Sequence, residues 1–160
     1  MGVMKFFTPE CDIDDDLWEE RSEAYDAYID SIYTSLPWPV KVLAAGVDLH
    51  DGFFSKAIFS QQKRQLELEG VFGDLEMGYC LIHLIYIDCS ASSLSDVFDG
   101  SRQEIIFDEV ESLGDHRFAH RMRFDSGKDL DLEFSDLEIK IKSTDTMQRL
   151  VEKPCKLSII

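Results

Sequence analysis

Positive charge is scarce in this chain: 16 Lys and Arg stand against 32 Asp and Glu, giving a formal net charge of -16 and a pI near 4.4. Phosphate backbones and anionic bilayers are held by clustered Lys and Arg that displace counterions, so neither nucleic acid nor membrane is a partner this composition favours. Long hydrophobic runs are missing as well. Glu10, Cys11 and Asp12 interrupt the start before the roughly 7-residue apolar core of a secretory leader can form. No stretch approaches the roughly 18 uninterrupted apolar residues of a membrane span. Paired cysteine motifs are absent too: Cys11, Cys80, Cys89 and Cys155 contain no C-x-x-C and no zinc-type spacing. Cys80 and Cys89 fall on one extended segment, about 30 Å apart at the rise of a strand, well beyond disulfide reach. A soluble cytoplasmic protein with reduced thiols is the expectation. The catalytic signatures H-E-x-x-H and G-x-S-x-G, the P-loop and the dinucleotide glycine pattern are likewise missing, and nothing calls for a cofactor.

What is present suits a packed core. The chain is 44% hydrophobic and 11% aromatic over 160 residues, which fits a single domain spanning residues 1–160. It divides into a helical part (12–45), an antiparallel β part (53–142) and a tail (143–160). From Asp12 to Leu36, the residues Leu17, Trp18, Tyr25, Tyr28, Ile29, Ile32, Tyr33 and Leu36 share one arc at about 100° per residue, so an amphipathic helix is predicted there. Asp16, Glu19, Glu20, Glu23, Asp26 and Asp30 take the opposite arc. Asp12 or Asp14 can cap the helix start, and Pro37 and Pro39 end it. Arg21 lies inside the apolar arc, to snorkel outward or to reach a buried acid.

Beyond Gly52 the pattern turns to strands: Phe53–Ser60, Gln65–Phe72, Met77–Cys89, Glu104–Leu113, Arg117–Phe124, Lys128–Phe134 and Leu137–Lys142. Their short connections predict an antiparallel meander, with only Ala91 to Phe98 long enough for a crossover helix. The fold class is therefore α+β, an N-terminal helix on a mostly antiparallel, curved or partly barrel-like sheet of about six to seven strands. A three-residue loop at Asp125-Ser126-Gly127 sets Arg123 opposite Asp129, Arg121 opposite Asp131 and Phe118 opposite Phe134. A turn at Ser135-Asp136 would then pair Phe134 with Leu137, Asp131 with Lys140 and Asp129 with Lys142, though it also sets Glu133 against Glu138. On this reading Arg121, Arg123, Lys140 and Lys142 form a solvent face neutralised by aspartates. Met77–Cys89 is apolar on both alternating sets and reads as a central strand covered on both faces.

Three chemistries suggest themselves. Asp12, Asp14, Asp16 and Glu23 match the spacing of a calcium loop, but Leu17 stands where its sharp turn needs glycine, and a helix start explains the same residues. His50 and Asp51, with His83 and His120, would make a metal or acid–base site if the fold brings them together; turn chemistry for His50 and core packing for His83 and His120 are the alternatives. Eleven Phe, five Tyr and two Trp would line a pocket for an apolar ligand between helix and sheet, or simply form the core.

Met4-Lys5-Phe6-Phe7-Thr8, the acidic aromatic helix, Leu49-His50-Asp51, Asp108-Glu109-Val110, His120 and Asp131-Leu132-Glu133-Phe134 together resemble an uncharacterised family of small bacterial proteins. The likeness spans residues 4–142; it implies a bacterial domain of unknown function with Met4 as a start, and it carries over no catalytic residue. The leading expectation is a non-catalytic binding or immunity-type accessory module in which Glu19, Glu20, Glu23, Asp26 and Asp30 meet a basic protein. The alternative is a metal-dependent enzyme built on His50 and Asp51. The C-terminal Leu157-Ser158-Ile159-Ile160 is apolar enough to dock on the body, and the sequence leaves the oligomeric state open.

Overall fold

The computed structural model describes residues 3–74, 76, 78–144 and 155–160. A short 3-10 turn at Pro9–Asp12 leads into α1 (Asp15–Ile32), followed by α2 (Trp38–Lys41) and a π-type turn at Val42–Gly46. Asp14 caps α1, its Oδ1 accepting from the Leu17 amide at 3.1 Å. Of the acids of the supposed calcium loop, Asp14 is thus spent on helix capping and Asp12 on Arg123 at 3.6 Å, while Asp16 and Glu23 are exposed on α1. The strands are β1 (Phe53–Ser60), β2 (Gln65–Asp74), β3 (Gly78–Ile87), β4 (Ser90–Ser92), β5 (Ile105–Gly114), β6 (Arg117–Phe124), β7 (Asp129–Phe134), β8 (Asp136–Thr144) and β9 (Leu157–Ile159). The helix α3 (Leu94–Val97) lies within the stretch allowed for a crossover. Met77, the first residue of the predicted third strand, falls outside the described residues.

Two sheets result, one ordered β8-β3-β2-β1-β9 and the other β4-β7-β6-β5, antiparallel except where β9 joins β1 in parallel. The loop at Asp125-Ser126-Gly127 sets β6 against β7 in the predicted register, with Arg123 opposite Asp129, Arg121 opposite Asp131 and Phe118 opposite Phe134. Gly127 takes the left-handed conformation that this loop needs, at φ 88°.

Ser135-Asp136 is not a turn. The chain runs through it as one bent strand that leaves the second sheet as β7 and enters the first as β8. Leu137 faces Tyr86, and Lys140 and Lys142 face His83 and Leu81 rather than aspartates. The partner strand does the same, β3 running on past Asp88 and Cys89 into β4. Tyr86–Leu137 and Ser90–Glu133 keep one register across the bend. The predicted Glu133–Glu138 repulsion never arises, since Glu133 faces Ser90 and Ala119 while Glu138 faces Ile85. At the bend Asp88 adopts φ 50°, and its carbonyl and carboxylate both accept from Arg117 Nη1. The two sheets are therefore arms of one folded ribbon that does not close into a barrel.

The core lies between the arms, with Leu66, Leu68, Phe72, Ile82, Leu84 and Tyr86 against Phe118, Met122, Leu130, Leu132 and Phe134. In β3 that face is buried, while Leu81, His83, Ile85 and Ile87 on the other face are only half-buried, so the second face is less covered than its apolar sequence implies. α2 packs on β8 and the π-type turn on β5, so that Val40 and Leu43 plug one opening between the arms. Ile105 exchanges backbone bonds with Asp51 and Gly52, and Leu157 donates to Phe98 O, which stitches the other side. The space lined by Phe54, Phe98, Phe124 and Cys155 is about 10 Å³, room for a water at most.

A second cluster sits on the outer face of β5 and β6, where Met4, Phe7, Tyr25 and Ile29 pack with Phe6, Tyr28 and Phe107. This covers the face predicted to be solvent. Arg121 is 8% exposed, its guanidinium shared among Glu109, Glu111 and Asp131 at 3.8, 2.8 and 3.4 Å.

Candidate functional site

The predicted partner-binding residues lie on α1, and how that helix is held decides what they can do. β5 is an edge strand, and an edge leaves alternate backbone N–H groups without a ladder partner. Two tyrosines of α1 supply those partners: Tyr25 Oη accepts from the Val110 amide at 2.7 Å and Tyr28 Oη from the Ser112 amide at 2.9 Å. Burial, then the nearby Asp108 and Glu109 carboxylates, hold the Tyr25 hydroxyl well above its ordinary pKa, so it stays neutral. From the side, Glu109 accepts the backbone amides of Lys5, Phe6 and Phe7 at 2.5, 2.9 and 3.3 Å and pins the segment that packs over α1. Among the described residues Arg21 makes no ion pair with a buried acid; its Nη1 donates to the carbonyls of Lys5 and Phe6, both at 3.3 Å. Sequence periodicity marks Tyr25 and Tyr28 as core residues and gives no hint that their hydroxyls reach a sheet edge.

With the helix fixed this way, Glu19, Glu23, Asp26 and Asp30 follow one another at i, i+4, i+7 and i+11 and form a straight exposed row, with Glu20 exposed to one side. Among the described residues no ion pair reaches any of these five carboxylates. The β body is different: Glu67, Asp88, Asp99, Asp108, Glu111, Asp129 and Asp131 all have a basic side chain within ion-pair distance. The row is flanked by Trp18 and Tyr33, 45% and 37% exposed. At its C-terminal end Asp26 and Asp30 overhang a groove of about 420 Å³ against Ala44, Ala45 and Val47.

The residues proposed for a metal site are held apart. His50 lies on the surface with Nδ1 3.2 Å from Asp51 Oδ2, and the Asp51 backbone turns through φ 63°. His83 projects from the outer face of the first sheet, Nε2 2.5 Å from Glu67 Oε2; that contact and Lys56 hold Glu67 below the usual carboxylate range. His120 is fully buried between the arms, with Nδ1 2.8 Å from Tyr86 Oη and Nε2 2.9 Å from Asp108 Oδ2. This row of side chains resembles a nucleophile, base and carboxylate in outline. However, Tyr86 is completely buried and desolvation raises its hydroxyl well above the ordinary pKa, so the group satisfies buried polar atoms and presents no nucleophile to solvent. Among the described residues no three His, Cys, Asp or Glu side chains come together as metal ligands.

No protein-family model, curated protein or solved structure matches the chain. Its site is therefore read from geometry alone. Among the described residues no helix is long and apolar enough to cross a membrane.

Proposed function

We propose that this chain is a non-catalytic protein-binding module, of the immunity or accessory kind, whose α1 face docks a basic protein partner. The observation that supports the reading is the contrast between the α1 row and the β body. Seven acids of α1, Asp15 to Asp30, share the helix with one base, Arg21, which faces away from them, while in the sheets Glu67, Asp108, Glu111, Asp129 and Asp131 each lie within ion-pair distance of a basic side chain. Charges left unpaired on a rigid element project a field that accelerates encounter with an oppositely charged surface, and docking loses no helix-ordering entropy because the helix is already held. The groove below Asp26 and Asp30 would take a lysine or arginine stem, and the flanking Trp18 and Tyr33 offer the aromatic contacts that interfaces favour. The resemblance to a bacterial family is compatible with such a role and adds no residue to it.

The test is a comparison of the parent chain with Glu19→Lys/Glu23→Lys/Asp26→Lys/Asp30→Lys. Proteins retained from a lysate of the encoding organism at low salt are identified, purified and rebound individually. The expected result is a basic partner whose affinity falls at least about tenfold between 50 and 300 mM salt, and which the reversed variant does not hold. A variant that folds and retains the same partners with unchanged affinity would rule the reading out.

A further inference from the structure

An edge strand carries backbone N–H and C=O groups without a ladder partner, and each edge of this fold meets that problem in its own way. On β5 the hydroxyls of Tyr25 and Tyr28 take up the amides, and β4 and β9 are three residues each, too short to template a further strand. β8 is different. It runs for nine residues as the outermost strand of the first sheet, and among the described residues no backbone group bonds to it from the side away from β3. One of its faces presents Asp136, Glu138, Lys140 and Lys142, all exposed, and no ion pair reaches any of them among the described residues. Two acids against two bases make this strand neutral in a chain of net charge -16. On the other face Ile141 is 49% exposed, and α2, which packs on β8, carries Trp38 at 72%. Apolar surface of this kind beside an open edge is what an interface covers.

The order of charges along β8 selects its occupant. Residues opposite one another in a sheet share a face, and faces alternate along a strand, so a two-fold pairing of β8 with its own copy sets each residue against one of the same parity. A centre at Glu138 or at Lys140 stacks that charge on itself, and a centre at Ile141 sets Lys140 against Lys142. A centre at Ile139 matches every charge: Asp136 meets Lys142 of the copy and Glu138 meets Lys140, each pair occurring twice by symmetry. The same register lays Ile139 beside its counterpart and the exposed Ile141 beside Leu137 of the copy. Lysines on an edge ordinarily keep strands apart. Here each is supplied with a carboxylate. We infer that β8 pairs antiparallel with β8 of a second copy of this chain about a two-fold axis at Ile139, joining the two five-stranded sheets into one. The surface is distinct from the acidic row, since α1 stands on an edge of the second sheet.

Sedimentation velocity of the whole chain at about 0.15 M salt, where repulsion between the two acidic copies is screened beyond about 8 Å, measures the association. The expected result is a monomer–dimer equilibrium with a Kd of about 10–100 μM, in keeping with a small contact. Lys140→Glu sets carboxylates opposite each other at both symmetry-related positions and should weaken the dimer at least about tenfold. Glu138→Lys/Lys140→Glu exchanges the ends of each pair and should bring the Kd back to within about threefold of the parent. Because the double variant contains the weakening change, its recovery excludes misfolding as the cause; a centre at Lys140 gives no recovery, since it sets the introduced lysine against Lys142. Ile139→Cys places the thiol beside its own copy, within the roughly 4.4–6.8 Å between Cα atoms that a disulfide spans, so mild oxidation should yield a covalent dimer above the parent's background. Glu138→Cys, two residues out of line with its copy, should not. A parent that stays monomeric up to about 0.5 mM, a Lys140→Glu dimer as tight as the parent's, a double variant as weak as Lys140→Glu, or cross-linking at 138 in place of 139 would each overturn the assignment.

Discussion

Asp131 illustrates how one residue can carry the cost of a crowded network. The Arg121 guanidinium is shared by three carboxylates, and Lys5 Nζ, 2.7 Å from Glu111 Oε2, adds the only other nearby base among the described residues. Glu109 has the best position, with three backbone amides aimed at it. Asp131 has the worst: its Oδ1 is shut off from water and makes no hydrogen bond, although Arg121 Nε lies 3.4 Å away. Burial, against the pull of Arg121 and with the added repulsion of Glu133 and Glu111, raises its pKa above the ordinary aspartate value. A raised carboxyl pKa means that the folded state holds the proton more tightly than the unfolded one. The contribution is then full below the unfolded pKa and is lost as pH rises through the folded value, leaving ionised Asp131 a net cost at neutrality. Asp131→Asn is therefore expected to increase stability at pH 7 by about 0.5–1 kcal/mol in urea unfolding, with the gain shrinking on acidification and the two proteins converging near pH 4. Destabilisation that persists at both pH values would mean that the Arg121 pairing outweighs the burial cost.

At the scale of elements, the docking of α1 on the β5 edge rests on two hydroxyls with different surroundings. The Val110 amide is buried where Tyr25 meets it, whereas the Ser112 amide at Tyr28 is only partly buried. Removing an acceptor from a buried donor costs its desolvation, and water can replace one that is near the surface. Tyr25→Phe is expected to cost about 1–3 kcal/mol, and Tyr28→Phe about 0.5–1. Amide hydrogen exchange should accelerate at Val110 in the first variant and at Ser112 in the second; equal small losses without local exchange would show that only the rings hold the helix. Much of this architecture is legible in sequence. Alternation marks seven of the nine strands, and the Asp125-Ser126-Gly127 loop sets the β6–β7 register. The β7–β8 pairing is misread for a definite reason. The apolar residues move from even positions (Leu130, Leu132, Phe134) to odd ones (Leu137, Ile139, Ile141), and a hairpin turn and a bend between sheets both require that change of phase. Alternation reports which side a residue faces and says nothing of which strand lies beside it. The Glu133–Glu138 clash was the trace of the right answer. β4 and β9, three residues each, are too short for any period to show.

For the whole molecule, the distribution of charge matters more than its sum. Segregation of acid on α1 can be read from the sequence, since the pattern and the helix period coincide; the groove under Asp26 cannot, because it joins segments that only the tertiary fold brings together. The four carboxylates of the row repel one another at i, i+3 and i+4, and among the described residues no base pairs with them. If solubility were their only use, a dispersed arrangement would serve equally well and cost less. Neutralising the row as Glu19→Gln/Glu23→Gln/Asp26→Asn/Asp30→Asn is therefore expected to raise the melting temperature by about 2–4 °C in low salt, the shift that a small gain produces in a chain of this size. At about 1 M salt the Debye length falls to about 3 Å and the difference should nearly vanish. Thermal unfolding followed by circular dichroism at the two salt concentrations measures this directly. A neutralised chain that is more stable yet no longer holds its basic partner would identify the row as charge kept for binding at the expense of stability; one that loses stability in low salt would place those carboxylates among the groups that hold the fold.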